Sequence, residues 1–195
     1  MKLLVATHNP NKLIEIKAIL KDHPIDLFTL DDLGITEDIE ETALSFEGNA
    51  LLKAQWGHQK SGLACISDDS GLEIEALNNE PGIYSARYLG EDTSYLIKNS
   101  NLIDRLKESK QRSARYVCVV AYVDEKGKAQ HFRAELKGVI AEEAKGSGGF
   151  GYDTIFIPTG QSRHYAELSL EERNLISHRQ AALRLCIHTI LEEAQ

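Results

Sequence analysis

The chain has 195 residues, 42% of them hydrophobic and 27% charged, with a formal net charge of −8. That length suits one sizeable domain of ordinary globular composition, not several domains. The acidic balance argues against unspecific binding to nucleic acid or an anionic membrane, although a local basic group or a metal ion can reverse the sign inside a cleft.

No apolar run approaches the length that crosses a bilayer. Lys2 is the only early basic residue, and Leu3-Leu4-Val5-Ala6 is too short for a signal-peptide core, so a cytoplasmic protein is expected. Cys65, Cys118 and Cys186 lie far apart in apolar surroundings without a Cys-x-x-Cys spacing. Such cysteines read as buried reduced thiols, not as a zinc site, a disulfide framework or a nucleophile.

In chain order, an apolar strand over Lys2 to Ala6 runs into Thr7-His8-Asn9-Pro10-Asn11-Lys12. Asn9 suits a helix N-cap and Pro10 the first helical position. The helix that follows carries Leu13, Ile16 and Leu20 on one side, flanked by Ile19. Free backbone N–H groups at such a start attract phosphate, and Lys12 adds a mobile positive charge; a merely well-capped helix accounts for the same residues. Ile25 to Leu30 reads as a second strand, and Asp31 to Glu41 is acidic and irregular. A helix over Ser45 to Gln59 places Phe46, Ala50, Ala54 and Gly57 at helical spacing, with Asn49 and Lys53 one turn apart.

Ser67 to Ile74, Ser-Asp-Asp-Ser-Gly-Leu-Glu-Ile, lies between apolar runs and reads as strand, acidic turn, strand, with Ser-Gly supplying the turn. Asp68 and Asp69 then sit at a strand end with their side chains on opposite faces. The ordinary reading is a turn with two solvated acids. Beside Glu41, the pair can instead complete a magnesium site, since that ion takes one or two carboxylates and keeps several waters.

Pro81 to Tyr88 forms a turn into an aromatic, Arg-bearing segment, followed by a helix over Ser94 to Ser109. Arg115 to Val123 and Ala129 to Lys137 make a hairpin around Asp124-Glu125-Lys126-Gly127, and Gly138 to Ala141 continues the second strand. Gly146 to Asp153 is a glycine-rich loop ahead of a strand over Thr154 to Ile157. It is neither a Walker loop nor a dinucleotide fingerprint. Its glycines allow close backbone approach, with Phe150 and Tyr152 exposed to stack on a flat ligand. A hairpin loop whose aromatics fold inward is the alternative. Ser177 caps a final helix whose first turn holds His178 and Arg179, cations placed against the macrodipole preference. Strands alternating with helices, plus the hairpin, indicate one α/β domain over residues 1–195 with a mixed sheet.

Together these parts favour a magnesium-dependent enzyme acting on a nucleotide polyphosphate. Ala6-Thr7-His8-Asn9, Glu40-Glu41-Thr42, Phe46 to Ala50, Asp68 to Leu72, Pro81 to Tyr88, Gly149 to Asp153 and Ile176 to Arg179 occur in one order along nearly the whole chain. This set resembles the non-canonical purine NTP pyrophosphatases, the ITPase-like (XTP/dITP) house-cleaning enzymes. The resemblance implies a long central mixed sheet between two lobes with flanking helices, and a homodimer. It also implies Mg2+-dependent hydrolysis of ITP, dITP and XTP to the monophosphate and pyrophosphate, by water attack at the α-phosphorus.

By the same resemblance Asp69 is proton acceptor and metal ligand, with Glu41 as the other metal carboxylate. Thr7, His8, Asn9, Pro10, Asn11 and Lys12, helped by Lys53 and Ser70, hold the triphosphate. Phe150, Gly151, Tyr152 and Asp153 enclose the base, and His178 and Arg179 reach its edge. His8 stands where the family often has glycine, and Arg173 where it usually has lysine; Arg and Lys differ in geometry, so the contact near base or sugar is altered. Two other readings fit parts of the chain: a magnesium phosphatase acting on nucleotides or sugar phosphates, and a nucleotide-binding regulator without turnover.

Overall fold

Leu3, Leu4 and Val5 are all fully buried in strand β1 (Lys2–Val5), although neighbouring side chains on a strand point to opposite faces. Both faces of β1 must therefore be covered, and the computed structural model, which describes residues 1–193, shows how. β1 pairs in parallel with β2 (Asp26–Thr29) on one edge and with β3 (Ala64–Ile74) on the other. One face sets Leu3, Val5, Ala64 and Ile66 against Ile16 and Leu20 of α1 (Pro10–Leu20) and Leu183, Ile187 and Ile190 of α5 (His178–Glu193). The other sets Leu4, Ala6 and Cys65 against Leu30, Ile35 and Trp56, the last from α2 (Phe46–Ser61). Continuous apolar runs are what parallel strands covered on both faces require, and each fully buried leucine contributes about 2 kcal/mol. Gly57 permits the close approach of α2: a Cβ there would lie 2.7 Å from Cys65 Sγ and 2.9 Å from Ala6 Cβ.

These elements, β3 as far as Asp69 and α5 from Arg179, belong to the first of two compact units: residues 1–69, 118–134 and the chain from Arg179 on. The second comprises residues 70–117 and 135–178. Its core joins Leu72 and Ile74 of β3 to Leu102 of α3 (Tyr95–Arg105), Tyr116 of β5 (Ser113–Val123) and Ile140 of β6 (Ala129–Ile140). Phe156 of β7 (Phe156–Pro158) completes it with Tyr152, Tyr165 and Leu168. β4 (Glu80–Pro81) pairs antiparallel with β3, and β7 pairs antiparallel with β6. A Ser169–Glu172 capping box opens α4 (Leu170–Ile176). The strand order is β2-β1-β3-β5-β6-β7 with β4 on β3, so the expected α/β fold with a mixed sheet is borne out. Among the described residues no helix is long and apolar enough to cross a membrane.

Ser45 and Ser94 accept backbone N–H groups at the starts of α2 and α3, and the expected Asn9 cap of α1 is in place. The acidic turn is not. Ser70-Gly71 does not reverse the chain, and Ala64 to Ile74 is a single eleven-residue strand. Flanking side chains at 68, 69, 72 and 74 are buried, and the Leu72 amide donates to Ser85 Oγ at 2.8 Å. Burial along the strand overrides the local turn preference of Ser-Gly.

Candidate active site

In the first unit, the segment after β1 is organised by Asn9. Its side-chain oxygen accepts from the Asn11 and Lys12 amides at 3.0 and 3.3 Å, and its own amide donates to Thr7 Oγ1 at 3.2 Å. The cap thus satisfies two of the amides that a phosphate could have met, which moves the burden of anion attraction onto Lys12. His8 Nε2 lies 3.1 Å from the Glu37 carbonyl and its Nδ1 3.8 Å from Asp31, so the residue that replaces glycine ties this loop to the acidic segment. Pro10 opens α1 beside them.

Asp68 and Asp69 stand side by side in mid-strand instead of at a strand end, 2% and 6% exposed. Their environments differ because successive strand side chains face opposite ways. Asp68 Oδ2 is 2.9 Å from Lys12 Nζ and 3.5 Å from Arg179 Nε, and Cys118 Sγ donates to it at 3.9 Å. Arg179 Nη1 also meets Glu15 at 2.7 Å. Burial by itself would raise the Asp68 pKa, but Lys12, Arg179 and Lys53 outweigh it and hold the carboxyl well below its usual range. Asp69 Oδ1 lies 3.6 Å from Lys53 Nζ, which also donates to Glu41 Oε1. There burial raises the pKa, Lys53 and Lys12 pull it down, and Glu41 and Asp68 push it up; the net direction is upward. Lys53, though buried, is raised by Asp69, Asp68 and Glu41. Two adjacent acids are thereby divided, one fixed as an anion and the other with increased affinity for a proton, the pattern of an acid–base assignment.

Glu41 and Asp69, far apart in sequence, are joined through one ammonium. Among the described residues no group of three or more His, Cys, Asp and Glu side chains gathers as a ready metal cage. The donor set nevertheless fits magnesium. It offers two carboxylates around a cation, and Asp69 Oδ2 is buried with no hydrogen-bond partner. Magnesium commonly takes one or two carboxylates and completes its shell with phosphates and water.

In the second unit the glycine-rich loop packs on Asp153. Asp153 Oδ1 accepts from Tyr116 Oη at 2.8 Å and Oδ2 from the Phe150 amide at 3.1 Å, with Arg173 Nη1 3.8 Å away. Gly149, at φ +72°, has to be glycine: a Cβ would fall 2.0 Å from Asp153 Oδ2 and 2.4 Å from Arg173 Nη1. Phe150 is 41% exposed and available for stacking, whereas Tyr152 is 3% exposed. The expectation that both aromatics face outward is corrected for Tyr152. Its ring meets Tyr95 edge-on at 5.2 Å and its hydroxyl donates to the Ser85 carbonyl at 2.7 Å, so it anchors the loop. Asn99 Nδ2 donates to the Gly151 carbonyl at 3.1 Å. His178 stacks on Tyr116, centroids 4.9 Å apart and planes at 8°. Ser70 follows Asp69 directly on β3 and is half-buried.

The neighbours His178 and Arg179 therefore part company: the imidazole joins Tyr116 and the guanidinium joins Asp68 and Glu15. Arg179 against the macrodipole is explained by those two carboxylates. Tyr116, Asn99 and Glu15 were not singled out by the sequence. The first two sit in an apolar strand and an amphipathic helix that carry no local chemical signal, and Glu15 looks like a solvated helix position.

The profile of the Ham1 family matches residues 3–189. A dITP/XTP pyrophosphatase of Porphyromonas gingivalis is 46% identical over 183 residues, covering 93% of this chain and 93% of that protein. One of Thermoanaerobacter pseudethanolicus is 41% identical over 197 residues, covering 100% and 99%. Among solved structures, the Staphylococcus aureus Ham1 protein superposes with a TM-score of 0.91 at 36% identity, covering both chains completely.

Proposed function

The chain belongs to the Ham1 family, and from that premise we propose that it is a dITP/XTP pyrophosphatase that converts ITP, dITP and XTP to the monophosphate and pyrophosphate. The observation that carries the reading is the linkage of Glu41 and Asp69 through Lys53, beside an Asp68 held ionised by Lys12 and Arg179. Three carboxylates and three cations collected on one strand and its neighbours suit a polyphosphate and a divalent ion better than a neutral ligand.

In this mechanism Thr7 to Lys12 hold the triphosphate. Lys12 and Lys53 each keep donors beyond their carboxylate partners, because an ammonium has three. Glu41 and Asp69 would hold magnesium, which would supply neutralisation of the charge that develops on the phosphate oxygens. Asp69 takes a proton from the water that attacks the α-phosphorus, and pyrophosphate leaves. Asp68 stays charged and keeps Lys12 and Arg179 in place. Ser70 assists at the phosphates. Phe150 stacks on the base, Gly151 and Asp153 line it, and Tyr152 acts through the loop it anchors. Arg173 and His178 contribute polar groups for a 6-keto purine edge; a site built from such hydrogen bonds rejects analogues that leave them unpaired. Arg179 serves the phosphate end. The catalytic residues belong to one domain of a homodimer in the cytoplasm, where the three buried free thiols stay reduced; nucleic acid and membrane have no part in the reaction.

The test is product identity across ITP, XTP, dITP, ATP and GTP with magnesium. Pyrophosphate from the first three, and little from ATP and GTP, is expected. Orthophosphate as the product would support a phosphatase instead, and stabilisation by ITP without hydrolysis would support a regulator.

A further inference from the structure

We infer that Tyr116 is the positioning residue for purine selection, the post on which Asp153, Phe150 and His178 are hung; this rests on the pyrophosphatase reading above. Tyr116 lies in β5, in the core of the second unit, with 8% of its surface exposed. Its hydroxyl donates to Asp153 Oδ1 at 2.8 Å. The other oxygen of that carboxylate accepts the Phe150 amide at 3.1 Å, so the direction of the Asp153 side chain also sets the backbone of the one exposed aromatic in the loop. The face of the Tyr116 ring lies nearly parallel to the His178 imidazole, with centroids 4.9 Å apart. One side chain thus reaches three of the residues assigned to the base, from two segments of chain.

The post itself is rigid. Phe156 and Tyr165 pack on the Tyr116 ring with centroids at 4.7 and 6.2 Å. Burial and the Asp153 carboxylate keep the phenol protonated far above its usual range, so it remains a donor at every working pH. A donor fixed in this way gives Asp153 a single orientation, and a carboxylate with one orientation can tell a purine edge that donates to it from one that does not. Tyr116 touches neither phosphate nor water in this scheme, so its loss acts on recognition and not on the chemical step.

Tyr116→Phe removes one oxygen and keeps the stacking ring. The expected result is a KM for ITP raised about tenfold with kcat changed less than about threefold, and a preference for ITP over ATP, whose N1 carries no hydrogen to donate, reduced by about tenfold, the size of one hydrogen bond to a charged group. Asp153→Asn should reduce the same preference, and the double variant should be no worse than Asp153→Asn alone, because both act through one contact. A Tyr116→Phe enzyme with wild-type KM and selectivity, whatever its melting temperature, overturns the inference, as does additivity in the double variant. If the Phe variant does not fold, Asp153→Asn decides the matter: retained selectivity overturns the relay. A wild-type enzyme that releases no pyrophosphate from ITP overturns the functional reading and this inference with it, whereas an active wild type indifferent to both substitutions overturns the inference alone.

Discussion

Arg179 Nε lies 3.5 Å from the carboxylate of Asp68, a residue 111 positions earlier in the chain. With Lys12 on the same oxygen at 2.9 Å, the carboxylate is enclosed by two cations that cannot reach water freely. Removing one member of a buried ion cluster leaves the others uncompensated, and that costs more than the cluster contributes as a whole.

Asp68→Asn should therefore destabilise the fold by about 3 kcal/mol. For a chain of this length that lowers the melting temperature by roughly 6–12 °C. Calorimetry of the two proteins measures it directly. A drop of less than about 2 °C would show that Glu15 and solvent suffice for the cations.

Asp69→Asn should leave the fold and ITP binding intact while kcat falls by about 100-fold or more, the range for a lost general base. Asn keeps the shape and one acceptor but cannot take the proton. Steady-state kinetics with calorimetric binding separate the two effects. Undiminished kcat would remove Asp69 from the mechanism.

Phe150→Ala should raise the KM for ITP about tenfold, as base–aromatic stacking commonly supplies. Because Phe150 is half-exposed, the melting temperature should barely move. An unaltered KM would refute stacking at this position.

Thiol titration provides a check independent of catalysis. Burial pushes Cys65 up to about 12 and raises Cys118 and Cys186 as well, so no thiolate forms near neutral pH. Native protein should resist an aromatic disulfide reagent, and unfolded protein should release three equivalents, one for each cysteine. A thiol that reacts rapidly in the native protein would contradict the burial described.

What the sequence made legible was whatever local chemistry decides. Asn9-Pro10 marked the start of α1, Ser45 and the apolar spacing marked α2, and the runs around Leu3 and Val117 marked their strands. The acids and lysines of the site were also visible as residue types. Their grouping was not, since the approach of Arg179 and Lys12 to Asp68 depends on which helix covers which face of β3. The Ser-Gly pair misled for the same reason: a local turn preference yields to burial along the whole strand. Tyr152 looked like a partner of Phe150, but its hydroxyl had a carbonyl to meet at Ser85 and its ring an edge contact with Tyr95. A buried tyrosine with a satisfied hydroxyl is a stable arrangement that no neighbouring residue announces.

The central claim, that water activated by Asp69 attacks the α-phosphorus, is tested most directly by hydrolysing ITP in 18O-labelled water with magnesium and weighing the products. The account predicts one labelled oxygen in inosine monophosphate and none in pyrophosphate. Label in pyrophosphate, or orthophosphate released in its place, would contradict it.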